Sequence, residues 1–221
     1  MDLVVSLGGK VLTDALEKDN LEDYVEAFQE LEEETDNLVI VTGAGGLKKY
    51  IDAASEFGIS ESEKDLIGIK ATRLHASLLS SALDANVTVP ENLEKVAELA
   101  KTQDTVVLGG LIPGQSTDAV AAECAEIIGA DRLVLATTVD GVYDADPEED
   151  SEAERYGSMG YDELLELVTE KETSAGSYAL VDILAAKLIQ RSGLETIVLD
   201  GRDPATITTA LDENPSGTRI G

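Results

Sequence analysis

Five short runs of β-branched and leucine residues set the frame of this chain: "LVVSL" from Leu3, "NLVIVT" from Asn37, "TVVLGG" from Thr105, "RLVLAT" from Arg132 and "TIVLD" from Thr196. Each run is apolar at successive positions and not only at alternate ones. A strand of that kind must be covered on both faces, as in a parallel sheet held between layers of helices. The stretches between the runs carry helical periods. Leu21, Tyr24, Val25, Phe28 and Leu31 share one helical face, as do Val120, Cys124, Ile127 and Ile128 ahead of a stop at Gly129. Leu164, Leu165 and Val168 mark another helix, and "YALVDILAAKLIQRSG" a further one ending at Gly193. "RDPATITTAL" opens with Asp203 as cap and Pro204 at the first helical position. Strands alternating with helices predict an α/β fold, a three-layer α/β/α sandwich with right-handed crossovers. The segment from Ser60 to Leu83 is helical with no strand inside it, and is read as a lid or a subunit contact. For 221 residues, one domain spanning 1–221 is the expectation.

A core must then be built almost without aromatic residues, which make up 4% of the chain, so Val, Leu, Ile and Ala carry it. Acidic side chains number 45 against 16 basic ones, a formal net charge of -29. Such a surface repels nucleic acid and anionic membranes and excludes a polyanionic partner. The acidity is spread along the chain, as in proteins of salt-loving cytoplasms, where ionic strength screens self-repulsion. Ordinary acidic solubility is the blander alternative. Cys124 and His75 are the only cysteine and histidine. No intrachain disulfide, cysteine-rich zinc site or all-histidine metal site can form, and a Ser-His-Asp triad would have to use His75. His75 lies in the apolar helical run "ATRLHASLLSSAL" and reads as a buried or flanking histidine. The start, "MDLVVSLGG", lacks a basic segment leading into a long apolar one, and no 18 apolar residues run together, so a cytoplasmic protein is expected. The acidic stretch 144–157 reads as a solvated loop and not a calcium site.

Ligands of open α/β sheets bind beyond the carboxyl ends of the strands. Four of the five runs end there in glycine or small hydroxyl residues: "SLGGK" at 6–10, "TGAGG" at 42–46, "GGLIPGQST" at 109–117 and "ATTVDGVY" at 136–143. Glycine lets main-chain N–H groups approach a ligand, and a helix start adds unpaired donors and a positive dipole end. Phosphate is the ligand that best uses such a set. One loop alone is weak, since glycines in βα turns are common for steric reasons; four converging loops are not. "GAGGLKK" is neither a Walker A loop nor a G-x-G-x-x-G turn, because Lys48 stands where the third glycine belongs. P-loop and dinucleotide-binding enzymes are therefore disfavoured. Phosphoryl transfer needs backbone donors, magnesium and one or two cations. In a chain so poor in cations, Lys10 after Gly8-Gly9, and Lys48 with Lys49 after "GAGG", are conspicuous. Asp118, just inside a helix start, is placed to orient a lysine or to hold magnesium through water, or simply to favour the helix dipole. "TTVDGVYDADP" contains a hairpin signal that becomes a wall for a nucleotide base at such an edge.

These residues resemble the amino acid kinase superfamily, and within it the archaeal-type uridylate kinases. "SLGGK", "VTGAGGLKKYI", "SEKDLIGIKATRLHA", "GGLIPGQSTDAVAAECAE", "TTVDGVYDADP", "SAGSYALVDILAAKLIQRSG" and the closing "GTRIG" carry the likeness across nearly the whole chain. The resemblance implies a mainly parallel sheet in an α/β/α sandwich and the reaction ATP + UMP to ADP + UDP with magnesium. It implies that Gly8, Gly9 and Lys10 border the ATP phosphates, with Ala44 and Lys48 on the ATP side. Thr137, Thr138, Tyr143 and Asp146 would line the adenine nucleotide. Gly43 would lie against UMP, Asp65 would hold its ribose, and Leu111, Ile112, Pro113, Gly114, Gln115, Ser116 and Thr117 would wrap the uracil and the acceptor phosphate. Lys10 and Asp118 would be the catalytic pair, and the protein a homo-oligomer, a hexamer. Two departures stand out: Ser6 occupies a position where relatives carry lysine, and "SAGSYALVD" lacks a second lysine, Lys187 lying five residues further on. Two other readings are a sibling kinase of a carboxylate, carbamate or isopentenyl phosphate, and a storage module that binds nucleotide without turnover.

Overall fold

In the computed structural model, which describes residues 1–147, 149–172 and 181–221, all five apolar runs are strands. They form β1 (Asp2–Leu7), β2 (Asn37–Thr42), β3 (Thr105–Leu108), β4 (Arg132–Thr137) and β6 (Glu195–Asp200). Two short strands join them, β5 (Ser158–Met159) and β7 (Thr218–Ile220). Among the described residues these make one sheet in the order β3-β2-β1-β4-β6-β7-β5. The pairings β1–β2, β2–β3, β1–β4 and β4–β6 are parallel, and β7 runs antiparallel to β6. The sheet is thus mainly parallel, as expected. The chain builds outward from β1 through β2 to β3, then returns to place β4 on the other side of β1. That reversal opens a crevice beyond the carboxyl ends of β1 and β4, where open α/β sheets bind ligands.

Alternate residues of each strand feed two separate cores. Leu3, Val5, Leu7, Leu38, Ile40 and Val134 face a layer that contains α1 (Gly9–Glu17), α2 (Leu21–Glu34), α4 (Glu61–Ala82) and α9 (Pro204–Thr208). Val4, Val39, Val41, Leu108, Leu133 and Leu135 face the other, built on α5 (Leu93–Leu99), α6 (Thr117–Ile128), α7 (Tyr161–Glu172) and α8 (Ile183–Ser192). The remaining helix, α3 (Lys48–Glu56), buries only Ala54. Tyr24 and Phe28 are fully enclosed; the Tyr24 hydroxyl donates to the Gly201 carbonyl at 2.8 Å, and burial pushes its pKa up to about 12. Cys124 is buried and its thiol is likewise pushed up to about 12, so it is inert core.

The caps fall where the sequence put them. Gly129 (φ 72) and Gly193 (φ 59) close α6 and α8 in the left-handed conformation. Asp203 caps α9 with Pro204 at its first position. The helix ending at Gly193 begins at Ile183, capped by Asp182; residues 178–180 of the quoted run lie outside the described residues. Ile127, expected on the buried face of α6, is 43% exposed, because α6 is enclosed mainly through its alanines. The segment from Ser60 to Leu83 is the single helix α4 with its cap, packed on β2 and β3 through Ile69, Thr72, Ala76 and Leu79. Among the described residues no helix is long and apolar enough to cross a membrane.

Candidate active site

The turns after β1 and β2 meet backbone to backbone. A Cβ on Gly9 would lie 2.2 Å from the Gly45 nitrogen, and one on Gly43 would lie 2.3 Å from the Gly9 nitrogen. The two loops can therefore touch only as glycines. Gly8 donates to the Ala136 carbonyl at 2.8 Å, which brings in the end of β4 as well. No side chain caps α1, so its leading N–H groups at Gly9 and Lys10 have no capping partner, and Lys10 is exposed beside them. Lys48 and Lys49 are exposed in the first turn of α3.

Next to this contact lies a cleft of about 470 Å³ between α4 and the start of α6. Asp65, Ile112, Gln115, Ser116 and Thr117 line it together, whereas Gly43, Leu111, Pro113 and Gly114, which the resemblance groups with them, are not among its lining residues. Ala44, read as lying on the other nucleotide's side, lines this cleft too, because the 43–46 turn is its wall as well as the partner of Gly9. Gly114 (φ 81) donates its N–H to Asp65 Oδ2 at 2.9 Å, tying the 111–117 loop to α4. Leu111 is buried under that loop, while Pro113 and Gly114 are exposed on it. The deep end is held by Thr72, whose hydroxyl accepts from Gly110 N at 2.7 Å, and Thr42 donates to the Thr72 carbonyl at 2.8 Å. A second concavity of about 440 Å³ between α7 and α8 has Asp162, Glu166 and Glu170 on its wall, a lining that repels anions.

Between the cleft and the β1 turn stands Asp118 in the first turn of α6. It keeps some exposed surface, but its carboxylate is packed round by protein. Burial pushes its pKa up to about 6; the Ser6 hydroxyl, donating to Oδ1 at 2.6 Å, pulls it down, and nearby Asp182 raises it further. Ser116 accepts from Ala119 N at 3.0 Å, capping α6, and donates to Asp182, which accepts from Ala185 N at 3.0 Å and caps α8. Two helix starts, each a positive dipole end, thus converge beside Asp118.

On the β4 side, Thr137 and Thr138 are half-buried at the strand end, and Gly201 N donates to the Thr137 carbonyl at 2.8 Å. The Tyr143 hydroxyl donates to Asp140 Oδ1 at 2.6 Å, which raises its pKa. The Asp146 carbonyl accepts from Asp150 N at 2.8 Å. Among the described residues, the Asp-Gly pair at 140–141 is followed by an isolated antiparallel bridge between Tyr143 and Arg155 and by no hairpin of long strands.

Two residues that line the cleft and one beside it stand outside what the sequence predicts. Lys64 lines the cleft, its side chain only 12% exposed, paired to Glu61 at 2.7 Å. Gly68 lines it from inside α4, with nothing within 4 Å of where a Cβ would stand. His75 Nδ1 lies 2.9 Å from the Gly43 carbonyl, which makes it a clamp on the glycine turn and not merely a core residue. A lysine among glutamates and a histidine in an apolar helix carry no local mark of such roles; the spacing of 64, 65, 68 and 72 along one helix face is the signal that could have found the first two.

The model of the amino acid kinase family matches residues 1–200. The chain is 46% identical over 216 residues to a uridylate kinase of Haloarcula marismortui, covering 96% of this chain and 95% of that one. It is 44% identical over 222 residues to a uridylate kinase of Methanothrix thermoacetophila, covering 100% and 99%. The solved uridylate kinase of Archaeoglobus fulgidus superposes with a TM-score of 0.88 at 39% identity, over 100% of both chains. The chain therefore belongs to the amino acid kinase family.

Proposed function

We infer that the chain is a uridylate kinase, transferring the γ-phosphoryl group of ATP to the phosphate of UMP to give ADP and UDP. One observation carries the reading: a cleft with a carboxylate at Asp65 and a helix start at Ser116–Thr117 adjoins a glycine turn that touches a second glycine turn heading another helix. Two anion seats stand side by side on one sheet edge, which is what an in-line transfer between two phosphates needs.

UMP occupies the cleft. Asp65 accepts from the ribose hydroxyls, the 111–117 loop wraps the uracil, and the acceptor phosphate lies between Gly43 and the amides opening α6. ATP lies across Gly8, Gly9 and Lys10 with its adenine against Thr137, Thr138, Tyr143 and Asp146, and Lys48 flanks its phosphates. Transfer of this kind asks little covalent chemistry of the protein; positioning and charge neutralisation dominate. Lys10, at the head of α1, follows the charge on the moving phosphoryl group. Magnesium bound with ATP would supply further neutralisation, and Asp118, a hard oxygen donor beside the cleft, is the residue that would hold it. The same reading carries a cytoplasmic homo-oligomer, a hexamer, with it.

A magnesium-dependent assay with ATP and a panel of acceptors in molar potassium chloride tests the reading. UDP formation from UMP is expected. Phosphorylation of a carboxylate, carbamate or isopentenyl phosphate instead, or nucleotide binding without ADP release, contradicts it.

A further inference from the structure

An acceptor monophosphate brings close to two negative charges into the cleft at neutral pH. The cleft meets them with two carboxylates of its own, Glu61 and Asp65, on a chain of net charge -29. The amides at the start of α6 offer the equivalent of roughly half a positive charge. That is too little to hold a dianion beside two acids, so a full cation has to stand in the wall. Among the described residues that line it, Lys64 is the one cation.

The placement of Lys64 is unusual for this protein. Lys10, Lys48, Lys49, Lys70 and Lys187 are exposed, and Lys95 keeps a side chain 42% exposed, whereas Lys64 is drawn in to 12%. Confining a lysine stem costs rotamer freedom, which a solvated helix face would leave intact. Its backbone is also held: the capping box of Ser60 and Glu63 locks the first turn of α4, and Asp65, the next residue, is anchored to Gly114. The present partner, Glu61, is 87% exposed, so the ion pair is of the weak, displaceable sort. Lys64 is therefore a charge held inside the cleft on a fixed turn with a partner that a stronger anion displaces.

We propose that Lys64 binds the phosphate of the acceptor nucleotide, exchanging Glu61 for it when UMP enters. The proposal rests on the uridylate kinase reading and assigns the acceptor's charge recognition to one residue. Ribose recognition by Asp65 and phosphate recognition by Lys64 then come from neighbouring positions on one helix turn.

The test is equilibrium binding of UMP and of uridine, which lacks the phosphate, to the full chain. Lys64→Gln is expected to weaken UMP by about 10- to 100-fold, the value of a charge-assisted hydrogen bond, while uridine changes less than about twofold. Lys64→Arg restores most of the loss. Glu61→Gln, which frees the ammonium, tightens UMP by up to about fivefold. Equal weakening of UMP and uridine by Lys64→Gln would overturn the proposal, as would no weakening of either. Should the wild-type chain show no preference for UMP over uridine, the functional reading itself fails, a result separate from failure at Lys64 alone.

Discussion

The Ser6 hydroxyl donates a 2.6 Å hydrogen bond to the Asp118 carboxylate, joining the end of β1 to the first turn of α6. A hydroxyl stabilises a buried carboxylate less than a cation would, and the Asp118 pKa stands at about 6, burial being the largest cause. Its folded pKa lies above the ordinary 3.8, so the folded state binds the proton more tightly than the unfolded one. The stability this contributes is full below about pH 4 and is lost as pH rises through about 6. Asp118→Asn keeps the acceptor for Ser6 and removes the titration. At pH 7.5 it should gain up to about 3 kcal/mol over wild type in denaturant unfolding at constant salt, with the gain gone at pH 4. The same variant should lose phosphoryl transfer. Equal gains at both pH values would show that ionisation of Asp118 is not the cost.

Gly9→Ala forces a methyl group into the Gly45 backbone. Neither loop can give way without moving β1 or β2, so a loss of about 2 kcal/mol or more is expected, together with the activity. Gly157→Ala, where nothing lies within 4 Å, serves as the control and should change stability by less than about 0.5 kcal/mol. Urea midpoints of the two variants decide it; similar losses would contradict the close-contact account.

Gly68 sits inside a 22-residue helix, where glycine is about 1 kcal/mol worse than alanine. Its missing side chain leaves room in the cleft and relieves no contact with protein. Gly68→Ala should raise the melting temperature by about 2–4 °C and raise KM for UMP while KM for ATP stays put. A more stable variant with unchanged UMP kinetics would mean that the ligand does not approach this turn.

His75 Nδ1 must carry the proton in its contact with Gly43, since a carbonyl only accepts. His75→Ala frees the glycine turn from α4 and should raise KM for UMP about fivefold, with a smaller change in kcat. His75→Asn offers an amide donor at similar reach and should recover most of the loss. Steady-state kinetics of the pair distinguish a clamp from a filler: if alanine and asparagine behave alike, the hydrogen bond is not what matters.

The long strands are legible in the sequence because burial on both faces leaves an uninterrupted apolar run. β5 and β7 are not, since two or three residues such as Ser158–Met159 hold no period, and their pairing comes from the chain's return beside β6. The glycine turns are legible as a set, but the sequence suggests space for a ligand, whereas the structure shows that Gly9, Gly43 and Gly45 first serve to let two loops touch. Asp65 and the 111–117 loop, which the family resemblance grouped, meet through the Gly114–Asp65 hydrogen bond, a contact between distant segments that no local pattern predicts. Lys64 shares a helix face with Asp65, Gly68 and Thr72, a signal that means little without knowing what α4 lies against, and His75 gains its meaning only from that packing.

The central claim is that UMP and ATP lie on neighbouring seats of one sheet edge. A crystal structure of the chain with UMP and a non-hydrolysable ATP analogue tests it most directly. The account predicts the UMP ribose on Asp65 and its phosphate at the start of α6, facing a triphosphate laid over Gly8, Gly9 and Lys10. A uridylate bound elsewhere, with the cleft between α4 and α6 filled only by solvent, would contradict it.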